Sequence, residues 1–217
     1  MKNILAIGAH PDDIEFGCGG TILNHKSKGH FVVYVCMTST ESVDGTTGKL
    51  LRSKEQNYEE TIKAAKILLC DRIEFLPFKD LYVPFSFESV SALEKIIKKY
   101  NIDTIYTHWA GDANQDHIST FKTTMAASRY ISNVFCYEQI PVPRMSENQM
   151  DINYYVNITN TFDKKIEASL CHKSQIVKYK THGFMVEENL KILAQFRGIQ
   201  AGCQYAEAFK TIKQVNK

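Results

Sequence analysis

The feature that most constrains this chain is an alternation of short, wholly apolar runs with helix-length segments. Ile4 to Gly8 and Phe31 to Met37 lack the in-out alternation of a half-exposed strand and read as strands buried on both faces. Ile14 to Lys28 has room for one helix between them, so the chain opens with a βαβ unit, whose crossover is right-handed. A polar loop from Thr38 to Gly48 precedes a helix from about Leu51 to Leu69, then a strand at Ile73 to Leu76 and a helix at Phe87 to Lys99. Asp103 to Thr107 is the fourth strand, followed by a helix from about His117 to Tyr130 and a strand at Val134 to Tyr137. Beyond Pro141 and Pro143 the texture changes to an alternating strand at Tyr154 to Ile158 and helical segments near Phe162 to Tyr179 and Val186 to Ala201. The expected fold class is therefore α/β: a Rossmann-like, mostly parallel sheet flanked by helices, with a C-terminal strand and helical elaboration. Residues 1–217 suit a single domain, because 44% hydrophobic residues can fill one core without disulfides.

Composition narrows the functions. Lys and Arg number 26 against 24 Asp and Glu, which leaves no basic footprint for nucleic acid or an anionic membrane. No apolar run approaches the roughly 18 residues that span a bilayer, so membrane insertion is not expected. The six cysteines (Cys18, Cys36, Cys70, Cys136, Cys171, Cys203) form no CxxC pair, which excludes a zinc ribbon and a thioredoxin-like motif. Met1-Lys2-Asn3 and the apolar run after it pass straight into His10-Pro11-Asp12-Asp13 without a small-residue cleavage site, and the expected location is the cytoplasm.

In open α/β sheets ligands bind beyond the carboxyl ends of the strands. The first strand ends in Ala9-His10-Pro11-Asp12-Asp13, and the fourth in Thr107-His108, followed by Trp109-Ala110-Gly111-Asp112-Ala113-Asn114-Gln115-Asp116-His117. Two imidazoles and one carboxylate make the donor set of a hydrolytic zinc site with an open position, and His10, Asp13 and His117 are assigned as ligands of Zn²⁺. Zinc lowers the pKa of bound water from about 15.7 to about 7. Asp12, not needed for coordination, is free to act as general base; its competing role is to cap the following helix. Gly17-Cys18-Gly19-Gly20 is no dinucleotide fingerprint, and its small residues suit close packing of a helix on the sheet.

The His10-Pro11-Asp12-Asp13 and Asp116-His117 motifs resemble those of the PIG-L/LmbE-like zinc N-deacetylase family. Arg52 with Glu55, Ala64 to Leu68, Asp80, His172-Lys173-Ser174-Gln175 and Tyr205-Ala206-Glu207-Ala208-Phe209 resemble the family's weaker motifs in order, so the resemblance runs over essentially the whole chain. It implies a single LmbE-like deacetylase domain that removes an N-acetyl group from an amino sugar or its conjugate, nucleotide-linked ones included, by a metal-activated water. It further implies that Arg52 and Asp80 bind substrate, that Tyr205 helps stabilise the oxyanion, and that the protein is a homo-oligomer.

Two positions depart from the family pattern. Asn114 stands three residues before the third ligand, where many members have histidine, and asparagine cannot deliver a proton to the leaving amine. Asp12, once protonated, or His108 then takes the acid step, and Asp116 orients a ligand or the base. Leu69-Cys70 stands where a glycine is usual. Simpler readings compete at several sites: an exposed Arg52–Glu55 pair, a packed Tyr205, surface placement of His172 and His182, and ordinary packing for the aromatic stretch Pro77 to Phe87. Different functions remain open as well, namely a zinc amidase for another acyl group or scaffold, and an inactive sugar- or nucleotide-binding relative.

Overall fold

The computed structural model describes residues 1–43, 47–140, 149–181 and 183–215; Pro141, Pro143 and His182 lie outside them. Strands β1 (Asn3–Gly8) and β2 (Phe31–Thr38) flank helix α1 (Asp13–Ser27), as expected for a βαβ unit. The loop after β2 holds a short antiparallel hairpin that its polar composition conceals, β3 (Ser42–Val43) with β4 (Leu50–Arg52). Helix α2 (Lys54–Ile67) starts later than the sequence reading because the Ser53 side chain caps it, accepting from Gln56 N. There follow β5 (Arg72–Phe78), α3 (Phe87–Lys99), β6 (Thr104–Thr107), α4 (Gln115–Ala127) and β7 (Asn133–Tyr137). The remainder is β8 (Tyr154–Asn157), α5 (Phe162–Ser169), α6 (Lys173–Thr181), α7 (Val186–Ala201) and β9 (Ala206–Lys213). The segment read near Phe162 to Tyr179 is thus two helices, and β9 is a strand that went unrecognised.

The large sheet has the order β5-β2-β1-β6-β7-β9-β8, with the first five strands parallel and β9 antiparallel to both of its neighbours. Chain order reverses between β1 and β6, the switch point at which such sheets open a ligand crevice. Alternate residues of β1 and β2 explain the continuous apolar runs. Ile4, Ala6, Val32 and Tyr34 face α1, α2 and α5, whereas Leu5, Ile7, Val33 and Val35 face α3 and α4. Among the described residues no helix is long and apolar enough to cross a membrane.

Helix α1 is broken at Cys18, whose φ of −144° and ψ of 18° are not helical. A buried ion pair occupies the break. Glu207 from β9 accepts from Gly20 N (2.9 Å) and Thr21 N (2.7 Å), while Lys165 from α5 donates to Phe16 O (2.8 Å) and to Glu207 Oε1 (2.5 Å). Phe16 O and Gly20 N stand at i and i+4 along α1, so the ion pair engages both groups of one helical rung at the break. The break lets the first turn aim Asp13 at the crevice while the rest of α1 lies close against its neighbours. A Cβ on Gly17 would fall 2.2 Å from the Tyr137 ring, and one on Gly20 would fall 2.8 Å from Ile158. Leu69 sits at φ +59°, just past the end of α2, a left-handed position that glycine would occupy without strain.

Candidate active site

The crevice is a cavity of about 710 Å³ between the ends of β1, β4, β6 and β7 and helix α6. His10, Asp12, Asp13, Arg52, Asp80, Asp112, Asn114, His117 and Gln139 line it on the polar side; Val43, Leu51, Ile140, Tyr179 and Phe184 supply an apolar wall.

His10, Asp13 and His117 meet with ligand atoms within 4.8 Å of one another. Asp13 Oδ1 lies 3.4 Å from His117 Nε2, and Asp13 Oδ2 lies 3.6 Å from His10 Nδ1. The far nitrogen of each imidazole is held by its own carboxylate: His10 Nε2 by Asp116 at 2.9 Å and Asp80 at 3.2 Å, and His117 Nδ1 by Asp112 at 2.8 Å. This leaves His10 Nδ1 and His117 Nε2 as the lone-pair nitrogens turned toward Asp13, the pattern in which carboxylates set the tautomers of metal-binding histidines. Asp116 is itself fixed by Leu81 N (2.8 Å) and Val83 N (3.0 Å). Asp13 accepts from His10 N (2.7 Å) and Gln139 Nε2 (2.5 Å). Two other triads, His108–Asp112–His117 and His10–Asp80–Asp116, have similar spacing. Each contains a residue absent from the cavity lining, His108 in one and Asp116 in the other, so only the first triad faces the cavity whole. The donor set fits zinc.

Electrostatics separate the roles of the acids. Burial alone would raise the Asp13 carboxyl, but His117, His108 and the bond from His10 hold it well below its ordinary value. Burial and the adjacent Asp13 carboxylate push Asp12 up to about 7, against the opposing pull of His172, Arg52 and His10. Burial lowers the His117 imidazole, yet Asp13 and Asp112 raise it to about 9. His10 is likewise pulled down by burial and carried well above its ordinary value by hydrogen bonds to Asp116, Asp13 and Asp80. Asp12 makes no side-chain cap bond, so the capping alternative fails, and its φ of 105° is a strained backbone for a non-glycine residue.

Several sequence expectations are corrected. Asn114 caps α4: its Oδ1 accepts from Asp116 N and His117 N and anchors the turn that carries His117. His108 is 1% exposed and absent from the lining; its Nε2 accepts from Ala9 N at 3.0 Å, and burial beside His117 lowers it to about 4, which removes it as a proton donor to substrate. Tyr205 stacks on Phe162 with ring centroids 3.9 Å apart and does not line the cavity, whereas Tyr179 does. Arg52 is on a strand, 2% exposed and paired with Glu60 at 3.4 Å, so the exposed pairing with Glu55 does not form. His172 is fully buried, 3.5 Å from Glu15. Of the Pro77 to Phe87 stretch, Asp80 and Leu81 reach the cavity while Tyr82, Phe85 and Phe87 are exposed. Asp112 and Gln139 received no role from the sequence; Gln139 lies just past β7, where the strand-end rule would have found it.

Residues 5–128 match the family described as PIG-L: GlcNAc-PI de-N-acetylase. The chain is 39% identical over 143 residues, 63% of its length and 74% of the relative's, to the uncharacterized deacetylase YaiS of Escherichia coli K12. The structure is similar to the N,N'-diacetylchitobiose deacetylase of Pyrococcus horikoshii, with a TM-score of 0.80 and 25% identity over 97% of this chain and 84% of the other. It shares its fold as closely with the 4-carboxy-2-hydroxymuconate hydratase GalB of Pseudomonas putida KT2440, with a TM-score of 0.82 and 23% identity over 100% and 99% of the two chains. With more than half of its length matched, and with His10, Asp12, Asp13 and His117 all inside the match, the chain belongs to the PIG-L family of de-N-acetylases.

Proposed function

We propose that this protein is a single-domain, zinc-dependent hydrolase that removes the N-acetyl group from an amino sugar or amino-sugar conjugate. The observation that carries the reading is the convergence of His10, Asp13 and His117 in the cavity, each imidazole turned inward by a separate carboxylate. Zinc held by these three residues supplies a Lewis acid and a water of lowered pKa. Asp12 accepts the proton of the water that adds to the amide carbon, a role suited to a carboxyl poised near 7. Asn114 has no proton to give, and His108 is shut away from the cavity. Asp12 therefore returns the same proton to the amine as the C–N bond breaks, which releases acetate and the free amino sugar. Arg52 and Asp80 line the cavity where substrate oxygens would lie, and Tyr179 and Phe184 offer flat apolar faces to a sugar ring.

The test is acetate release by zinc-loaded protein from free, lipid-like and nucleotide-linked N-acetyl sugars, with Asp12→Asn alongside. Release that vanishes in the variant is expected. No release from any substrate, with zinc confirmed in place, would sink the proposal. A cytoplasmic homo-oligomer belongs to the same proposal, and a monomer in light scattering would remove that part.

A further inference from the structure

Among the described residues the largest fully buried side chain is Arg52, and it lines the cavity. A guanidinium has five N–H donors and keeps its charge at any ordinary pH. Here Nη1 meets Glu60 Oε2 at 3.4 Å, while the buried Nε has no hydrogen-bond partner. Glu60, on α2, is gripped from the other side by the start of α6: Ser174 Oγ donates to its Oε2 at 2.8 Å and Ser174 N to its Oε1 at 3.3 Å. The next residue, Gln175, lines the cavity.

We infer that Ser174 and Glu60 act in series as positioning residues that hold the Arg52 guanidinium at the cavity wall, its Nε–H unpartnered, so that the guanidinium can meet a substrate oxygen. Ser174 lies outside the family match at 5–128, whereas His10, Asp12, Asp13 and His117 lie within it. The C-terminal elaboration thereby tunes substrate affinity without touching the reacting groups. The substrate half of this inference rests on the deacetylase reading; the positioning half does not.

The chain has five arginines (Arg52, Arg72, Arg129, Arg144, Arg197), so arginine-selective ¹⁵N labelling gives five Nε–H signals, and Arg52→Lys identifies the relevant one. Ser174→Ala and Glu60→Gln are expected to move or broaden that signal and leave the other four in place, with Ser174→Thr restoring it. On an accepted N-acetyl sugar both variants should raise KM about tenfold, the cost of one hydrogen bond to a charged group, and change kcat by less than about threefold. An Arg52 signal that stays put in both variants overturns the inference. A moved signal with unchanged KM overturns its substrate half, as does a fall of kcat at constant KM. The four other signals report a folding failure, and in that case the milder Glu60→Asp decides by the same spectra. If the wild type hydrolyses no N-acetyl sugar, the deacetylase reading fails while the Nε–H spectra still decide the positioning.

Discussion

Replacing Lys165 with methionine tests the account of how α1 is bent. The substitution keeps the length and apolar stem of the side chain and removes the ammonium. Two groups then lose a partner in the interior: the Glu207 carboxylate, which is 4% exposed and keeps Gly20 N and Thr21 N, and Phe16 O, which loses the Lys165 ammonium at the break in α1. Removing one member of a buried ion pair costs about 3–5 kcal/mol, because the remaining charge stays buried without compensation. For a chain of this length each kcal/mol shifts the melting temperature by about 2–4 °C, so Lys165→Met should melt roughly 6–20 °C below wild type. Replacing both residues by apolar ones, Lys165→Met with Glu207→Leu, should recover part of the loss, since the unpaired charge is gone while Phe16 O, Gly20 N and Thr21 N stay without their side-chain partners. Thermal and urea unfolding of the two singles and the double give the coupling directly. A loss below about 1 kcal/mol in Lys165→Met, or strictly additive singles, would refute the claim that the ion pair bridges the break in α1.

Other outcomes follow from the site. Asp12→Asn should abolish turnover yet stabilise the zinc-free protein above neutral pH. The folded pKa of about 7 exceeds the roughly 3.9 of an unfolded aspartate, so wild-type stability is full below about 4 and declines as pH rises to about 7; the variant lacks that decline and gains up to about 4 kcal/mol at pH 8. Urea titrations in chelator at pH 4 and pH 8 check this, and equal curves for both proteins at pH 8 would contradict it. Zinc binding at pH 7 should expel protons from His10 and His117, whose imidazoles are raised in the metal-free site, so apparent affinity should climb with pH toward about 9. Calorimetry in buffers of different ionisation enthalpy counts those protons, and finding none would rule out the assignment. Asp112→Asn, which takes the carboxylate from His117 Nδ1, should weaken zinc about 10–100-fold by competition with a fluorescent chelator, against no loss if that carboxylate is incidental.

Apolar runs and short motifs carried far in the sequence. Ile4 to Gly8 and Phe31 to Met37 can be read as doubly buried strands because a strand covered on both faces has no solvent side to record, and the structure covers both. His10-Pro11-Asp12-Asp13 and Asp116-His117 were legible as candidates because one follows β1 directly and the other opens α4 after the loop beyond β6, on the side where the fold class opens a crevice. The β3–β4 hairpin and β9 were missed for the opposite reason. Their strands are short or mixed with charge, and they exist through pairing with partners far along the chain.

Pairing of donors and acceptors escapes the sequence in the same way. Asp116 is next to His117 in the chain yet orients His10, while His117 takes Asp112 from the preceding loop. Arg52 passes over Glu55 for Glu60 because it lies on a strand and not on the helix, and Tyr179 reaches the cavity where Tyr205 does not. Composition, periodicity and motif spacing by themselves marked the parallel strands, their burial on both faces and the candidate metal donors, because helical or strand period and apolar runs are local properties of the chain. Which carboxylate holds which imidazole, which ion pair bridges the break in α1 and which side chains reach the cavity were decided only by tertiary structure, because hydrogen bonds and ion pairs act over a few ångströms between groups that the crossovers bring together from distant parts of the chain.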